Sequence, residues 1–128
     1  MIHVVLGIIQ RDDKVLMAKR PAHKPYPNYW EFPGGKVEQT ESPTDALQRE
    51  LKEELNIKVM TTKAWLQYQH AYSQDIFLLD VYQVLHFLDE PIAQENQLIN
   101  WVSLSDIKQL SVLAGNQLII EQLIKESR

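Results

Sequence analysis

The sequence contains no cysteine. This absence excludes a disulfide framework, a cysteine-ligated zinc site and thiol catalysis, and it is consistent with a reducing compartment. Basic residues are also outnumbered, with 13 Lys and Arg against 17 Asp and Glu and a net charge of −4. A nucleic-acid polymer is therefore not expected as a partner, because its binding needs a clustered positive surface. If the protein handles phosphate, something other than its net charge must supply the cation.

Long apolar runs are missing as well. No segment is long enough to span a bilayer, so no membrane association is expected. Residues 1–9 are apolar but lack a basic leader and a small-residue cleavage site, so a cytoplasmic location is expected. The 128 residues, 45% of them hydrophobic, fit one globular domain over 1–128. There is no internal repeat or low-complexity tract.

The alternation of β-rich runs and turn residues predicts a mixed α and β fold. Three prolines within residues 21–28 indicate a loop. Strands are predicted over 4–10, 15–19, 30–32, 58–68, 76–88 and 98–102, and helices over 43–55, 105–110 and 116–126. A turn is predicted over 69–74. Together these favour an α/β or α+β fold with helices on both sides of a mixed sheet.

The helix over 43–55 has clear start and stop signals. Ser42 is a suitable N-cap, Pro43 suits the first helical position, and Asp45 lies three residues after Ser42, as in a capping box. Asn56 follows the helix at the place where a left-handed residue commonly ends one.

Three carboxylates share one face of this helix: Glu50, Glu53 and Glu54. Most charge runs are solvated surfaces, and Glu53 can pair with Arg49 four residues earlier. On its own face of the helix, however, Glu50 has no predicted cation. Carboxylates without His or Cys select a hard ion such as Mg²⁺ or Mn²⁺, so a solvated face and a metal site both remain open at this point.

The residues around this helix carry a recognisable signature. Gly35 is followed after five residues by Glu41, and after seven more by the run Arg49-Glu50-Leu51-Lys52-Glu53-Glu54-Leu55-Asn56-Ile57. This pattern resembles the Nudix box, with Asn56 in place of the glycine near its end. Further segments resemble the MutT-like members of that family: Leu6-Gly7-Ile8-Ile9, Lys19-Arg20, Glu31-Phe32-Pro33-Gly34-Gly35-Lys36 and Trp101-Val102-Ser103-Leu104.

The resemblance implies a Nudix α/β/α sandwich with a mixed central sheet and a monomeric, Mg²⁺-dependent pyrophosphohydrolase, with Mn²⁺ as an alternative ion. The implied substrate is a small nucleotide, 8-oxo-dGTP first, cleaved to the monophosphate and pyrophosphate. Such an activity would cleanse the nucleotide pool and avoid mutations. Another nucleotide, ADP-ribose or a pterin triphosphate is the alternative substrate. A non-catalytic nucleotide-binding regulatory domain is the alternative of another class.

Metal and catalytic roles follow from the same resemblance. The implied metal ligands are the Gly34 carbonyl and the carboxylates Glu50, Glu53, Glu54 and Glu95. The implied catalytic residues are Glu53, Glu54, Glu95 and Arg49. Glu53 could instead act through a bound water, Glu95 could be an ordinary loop glutamate, and Arg49 could be an ordinary surface ion pair.

Substrate contacts are implied for a further set: Arg20, His23, Phe32, Lys36 and Asn116. Arg20 would face the phosphates or the sugar, or else be a solvated arginine at a strand end. His23 and Lys36 would add positive charge. Phe32 would stack on a base or pack in the core. Asn116 would read the base edge through its amide, cap the last helix, or do both.

Overall fold

A mixed β-sheet forms the centre of the computed structural model, which describes residues 1–94 and 97–127. Over those residues the elements are β1 (Ile2–Arg11), β2 (Lys14–Lys19), β3 (Trp30–Glu31), β4 (Gly34–Lys36), α1 (Pro43–Leu55), β5 (Lys58–Tyr72), β6 (Asp75–Leu88), β7 (Leu98–Ser103) and α2 (Gln117–Glu126). Short 3₁₀ turns occupy Ile107–Gln109 and Ala114–Asn116. No helix in the described part of the chain is long and apolar enough to cross a membrane.

The strand order is β3-β2-β1-β6-β5, with β4 added to β1 and β7 added to β2. β1 and β6 run parallel, and the other pairs are antiparallel. β4 pairs with β1 at Val4–Leu6. β2 pairs with β1 only at the C-terminal end of β1, at Gln10 and Arg11. The two strands therefore diverge along one edge of β1, and β4 brings Gly34 and Gly35 onto the sheet.

The two helices cover opposite faces of the sheet. Along β1, Val5 and Ile9 pack with Leu47, Leu51 and Leu55 of α1. The alternate residues Leu6 and Ile8 pack with Ile119, Ile120 and Leu123 of α2. This follows from the period of two in a strand, which sends successive side chains to opposite faces. The predicted α/β/α layering around a mixed sheet is confirmed.

Both ends of α1 lie where the sequence predicts them. The Asp45 amide donates to the Ser42 hydroxyl oxygen at 3.1 Å, and Pro43 occupies the first turn. Asn56 adopts a left-handed conformation with φ of 54°, and its amide donates to the Lys52 carbonyl. Asparagine therefore fills the terminating role that glycine usually has.

Three sequence predictions need correction. The turn over 69–74 is wrong, because β5 continues to Tyr72 and the turn is confined to Ser73 and Gln74. Residues 69–72 alternate between exposed and half-buried positions, so their polar residues belong to a strand with one solvated face. The helix over 105–110 is only a three-residue 3₁₀ turn, since so short a segment rarely sustains an α-helix. The strand β4 was not predicted, because two of its three residues are glycine.

Candidate active site

A cavity of about 770 Å³ opens on the α2 side of the sheet, and its floor is apolar. Val4 and Leu6 of β1 and Phe77 and Leu79 of β6 contribute to that floor. Three chemical groups of side chains surround it. They are the carboxylates Glu31, Glu50, Glu53, Glu54 and Asp75, the cations Arg20, Lys24 and Lys36, and the aromatic and amide side chains Tyr26, Tyr72, Gln97 and Asn116.

The α1 carboxylates reach the cavity because α1 is fixed by its apolar stripe. Leu51 and Leu55 are almost fully buried against the sheet, which turns the adjoining face towards β4. Glu54 accepts a hydrogen bond from the Gly34 amide at 3.3 Å. Glu50, Glu53 and Glu54, which were predicted to share one face of the helix, therefore line one wall of the cavity.

Gly35 leaves room for one of these carboxylates. A Cβ built on Gly35 would overlap the carboxylate of Glu50, so glycine leaves that carboxylate room in its present position. An all-carboxylate donor set beside a backbone strand suits a hard divalent cation. Within residues 1–94 and 97–127, no three acidic or histidine side chains already surround one point.

Arg49 holds the carboxylates of this wall, and the prediction that Glu50 has no cation is wrong. Glu50 does have a cation, because Arg49 Nη1 donates to Glu50 Oε1 at 2.9 Å. The same guanidinium binds both oxygens of Glu41, at 2.7 and 2.9 Å, and lies 3.7 Å from Glu53. The prediction considered helix neighbours three and four residues apart and therefore missed an adjacent pair. Arg49 is thus more than a surface ion pair: it fixes the orientation of Glu50.

The pKa of Glu41 is strongly lowered, from 4.5 to about 2. The largest cause is the paired hydrogen bonding from Arg49, followed by the hydrogen bond from the Glu38 amide at 3.0 Å. Correspondingly, the pKa of Arg49 is raised, first by its hydrogen bonds to Glu41. Glu41 is therefore ionised at every physiological pH, and it anchors the guanidinium that holds Glu50.

We expect Glu41→Gln to be less stable than the unchanged protein at pH 7, with the difference vanishing as the pH falls from about 4.5 towards 2. The folded-state pKa lies below the unfolded one, so this stabilisation is present above the unfolded pKa and is lost as the pH falls through the folded pKa. Urea midpoints measured from pH 7 to pH 2 check the expectation, with the exposed Glu121→Gln as the matched control. A difference that does not change with pH would contradict it.

Asn116 lies at the other side of the cavity and is buried, with 3% of its surface exposed. Its side-chain oxygen accepts a hydrogen bond from the Phe32 amide at 2.9 Å. Although it is the N-cap residue of α2, its side chain makes no capping hydrogen bond, so the capping alternative is wrong.

Phe32 itself is fully buried in the α2-side core. Its ring therefore packs in the core and offers no surface on which a base could stack.

Arg20 lines the cavity, and its charge is paired within the protein. Its Nη1 lies 2.9 Å from Glu31 Oε2, and its Nε donates to the Pro25 carbonyl at 2.7 Å. Burial raises the pKa of Glu31, and the nearby Arg20 only partly offsets this. The structure therefore shows Arg20 tying the proline-rich loop to β3 and excludes a solvated arginine at a strand end.

The remaining predicted residues fall into three groups. Lys36 and Gly34, at the two ends of β4, both line the cavity, and Lys36 is exposed. His23 is exposed and lies in the proline-rich loop, outside the set that lines the cavity. Glu95 lies outside the described residues.

Sequence reasoning missed an aromatic wall made by Tyr26 and Tyr72. The two ring centroids lie 5.3 Å apart, and Tyr72 also meets Phe77 edge to face at 5.6 Å. Tyr26 has a positive φ of 53°, which no local pattern predicts for a tyrosine. The alternation of Tyr68, His70 and Tyr72 was the available signal that this segment is a strand pointing aromatic side chains to one side.

The chain also resembles known proteins over nearly its whole length. A sequence model of the NUDIX domain matches residues 4–122. The CTP pyrophosphohydrolase of Escherichia coli is 38% identical over 121 residues, which are 94% of this chain and 90% of that protein. The 8-oxo-dGTP diphosphatase of Haemophilus influenzae is 30% identical over 128 residues, 99% of this chain and 94% of that protein.

A solved structure shows the same fold. It comes from work on MutT of Aliivibrio salmonicida and Vibrio cholerae, and it superposes with a TM-score of 0.85 at 33% identity, covering 98% of both chains. The mixed sheet, the flanking helices and the acidic wall described above are therefore set within a fold that this structure shares.

Proposed function

This chain belongs to the Nudix family of hydrolases, and we propose that it cleaves a nucleoside triphosphate to the monophosphate and pyrophosphate. The observation that carries this proposal is that the carboxylates of α1 and the amide of Asn116 line one cavity. That cavity can place the phosphates at the acidic wall and the base beside Asn116.

Nudix hydrolases work with a divalent metal, and we propose Mg²⁺, with Mn²⁺ as a substitute. The carboxylates Glu50, Glu53 and Glu54 and the Gly34 carbonyl would hold it. When bound, the ion supplies charge neutralisation for the polyphosphate and polarises the reacting phosphoryl group. This resolves the problem of an acidic chain that handles phosphate, because the acidic wall recruits the cation that the net charge does not supply.

Side chains around the cavity position the carboxylates, bind the phosphates and accept the proton of the attacking water. Arg49 holds Glu50 in place, and Lys24 and Lys36 add positive charge along the cavity for the phosphates. The Glu53 side chain is 50% exposed, whereas that of Glu50 is 16% exposed. We therefore assign Glu53 as the carboxylate that accepts a proton from the attacking water, with Glu95 as the alternative base.

The side chain of Asn116 indicates which kind of base the substrate carries. Because the Phe32 amide donates to Asn116 Oδ1, the Asn116 amide nitrogen is the group left to face the cavity. That group donates hydrogen bonds, so it suits a carbonyl oxygen on a base edge. Oxidised guanine carries such oxygens, and we propose 8-oxo-dGTP as the substrate, as acted on by the Haemophilus influenzae relative.

CTP is the second candidate. Cytosine offers a carbonyl oxygen to Asn116 and an amino group to a carboxylate, and Glu31 lines the same cavity. The Escherichia coli relative that is 38% identical carries the name of that activity. ADP-ribose offers less, because it carries a diphosphate between two sugars and no triphosphate. A pterin triphosphate has both a triphosphate and a ring carbonyl oxygen, so it stays an alternative substrate.

A nucleotide panel tests the proposal. Pyrophosphate release is measured with 8-oxo-dGTP, dGTP, CTP and dCTP, and AMP release with ADP-ribose, each with and without Mg²⁺. We expect metal-dependent release, with kcat/KM for 8-oxo-dGTP at least tenfold above that for dGTP. A higher kcat/KM for CTP would select the second candidate. Binding of a nucleotide without turnover would instead support a regulatory domain and overturn the proposal.

A further inference from the structure

Two tyrosine hydroxyls hold the backbone of one residue, Gly115, one at its amide and one at its carbonyl. The Gly115 amide donates a hydrogen bond to the Tyr72 hydroxyl oxygen. The Tyr68 hydroxyl donates to the Gly115 carbonyl oxygen at 2.5 Å. Both polar groups of this glycine are therefore held by side chains of β5, 43 and 47 residues away in sequence.

The geometry of β5 makes this arrangement possible. Tyr68 and Tyr72 are four residues apart in a strand, so they share a face, and both are half-buried. Gly115 is buried opposite them, and a Cβ built there would overlap the Tyr72 hydroxyl and ring. A larger residue at this position would therefore displace the Tyr72 ring from its place beside the Gly115 amide.

The tyrosine side of this contact is itself rigid. The Tyr72 ring packs against Tyr26 at 5.3 Å, His70 at 4.6 Å and Phe77 at 5.6 Å between centroids. Burial raises the pKa of the Tyr72 hydroxyl, although the Gly115 amide acts in the opposite direction. The hydroxyl thus stays protonated at neutral pH, and the ring cannot turn away without breaking three aromatic contacts.

Gly115 directly precedes Asn116, which is fixed from two further directions. Its backbone amide donates to the Leu113 carbonyl at 2.9 Å, and its side-chain oxygen accepts from the Phe32 amide. The two tyrosines add a further constraint, because they hold Gly115, the residue directly before Asn116. A donor that must discriminate between base edges needs such fixing, because small displacements of a polar group cost much of its selectivity.

We propose that Tyr72 and Tyr68 are positioning residues that set base selectivity by holding the backbone of Gly115 and thereby the side-chain amide of Asn116. This inference rests on the proposed function, in which Asn116 contacts the base. It gives the hairpin of β5 and β6 a role in substrate choice, although neither hydroxyl needs to touch the substrate. The ring of Tyr72, which lines the cavity together with Tyr26, links the same hairpin to the wall beside the base.

The structural half of the proposal is tested by amide hydrogen exchange at Gly115, observed by NMR. We expect the amide to be protected in the unchanged protein and to exchange at least tenfold faster in Tyr72→Phe. Tyr68→Phe should leave most of that protection, because it removes only the bond to the carbonyl. Tyr82→Phe is the matched control, since Tyr82 packs on the α1 side of the sheet. Equal exchange in Tyr72→Phe and Tyr82→Phe would overturn the proposed contact.

The functional half is tested by kinetics on the preferred and the rejected nucleotide. A single hydrogen bond of ordinary net strength corresponds to about three- to tenfold, so we expect Tyr72→Phe to raise KM for the preferred nucleotide by that factor. The KM for the rejected nucleotide and kcat should change less than twofold. A merely structural role would instead lower kcat/KM equally for both nucleotides, and that result would overturn the proposal.

A double-mutant cycle separates this proposal from the proposed function. If the tyrosine acts through Asn116, Tyr72→Phe has no further effect on selectivity once Asn116→Asp is present. Selectivity that responds to Asn116→Asp but not to Tyr72→Phe would overturn the positioning role alone. Selectivity that responds to neither would overturn both the positioning role and the reading of the base by Asn116.

Discussion

Replacing Glu54 by glutamine is expected to lower kcat on the order of 10³-fold while the fold is retained. The substitution keeps the shape of the side chain, and the glutamine oxygen can still accept the Gly34 amide. What it removes is one negative charge from the wall that we propose attracts a divalent cation and, with it, the polyphosphate. Steady-state pyrophosphate release over a range of Mg²⁺ concentrations measures the effect.

The matched control is Glu121→Gln, an identical change at an exposed position of α2. It should leave both kcat and the Mg²⁺ dependence unchanged. Circular dichroism of both variants shows whether the fold is kept. A Glu54→Gln variant with more than about a tenth of the original kcat would contradict the assignment of Glu54 to the metal site.

Thermal unfolding gives a second readout that does not depend on turnover. A ligand that binds only the folded state raises Tm in proportion to the logarithm of its concentration above Kd. Mg²⁺ together with a non-hydrolysable nucleotide should therefore raise the Tm of the unchanged protein. The same additions should raise the Tm of Glu54→Gln much less, because its acidic wall holds the cation more weakly.

The acidic wall was predictable from sequence because it depends on local geometry. Helix periodicity places Glu50, Glu53 and Glu54 on one face, and capping signals define the ends of α1 without any tertiary information. The pairing of Arg49 with Glu41 and Glu50 was not predictable in the same way. It depends on how the loop before α1 returns to the helix, and sequence spacing does not determine that path.

The base side of the cavity was less predictable, because its residues come from distant segments. Asn116 was identified by resemblance, but its hydrogen bond to the Phe32 amide joins residues 84 apart in sequence. The aromatic wall was missed because the polar residues of 69–72 were interpreted as a turn. In the structure these residues extend β5, and Tyr72 reaches the cavity only because of that extension.

Asn116→Asp is expected to reduce the ratio of kcat/KM between preferred and rejected nucleotide by about 30- to 100-fold, which corresponds to roughly 2–3 kcal/mol. The aspartate keeps the oxygen that accepts the Phe32 amide, so the buried backbone group stays paired and the fold should persist. The group that faces the cavity changes from a donor to an acceptor. A base carbonyl then meets a carboxylate oxygen, and an interaction that favoured binding becomes repulsive.

Asn100→Asp, at an exposed position of β7, is the matched control for the added charge. Both variants are compared on 8-oxo-dGTP, dGTP and CTP at saturating Mg²⁺. If Asn116→Asp lowers kcat/KM equally on all three, then Asn116 does not read the base. If instead the loss falls on the preferred nucleotide, the Phe32 amide has a functional role as well. By occupying one end of the Asn116 amide, it determines that the other end, the donor, is the one presented to the substrate.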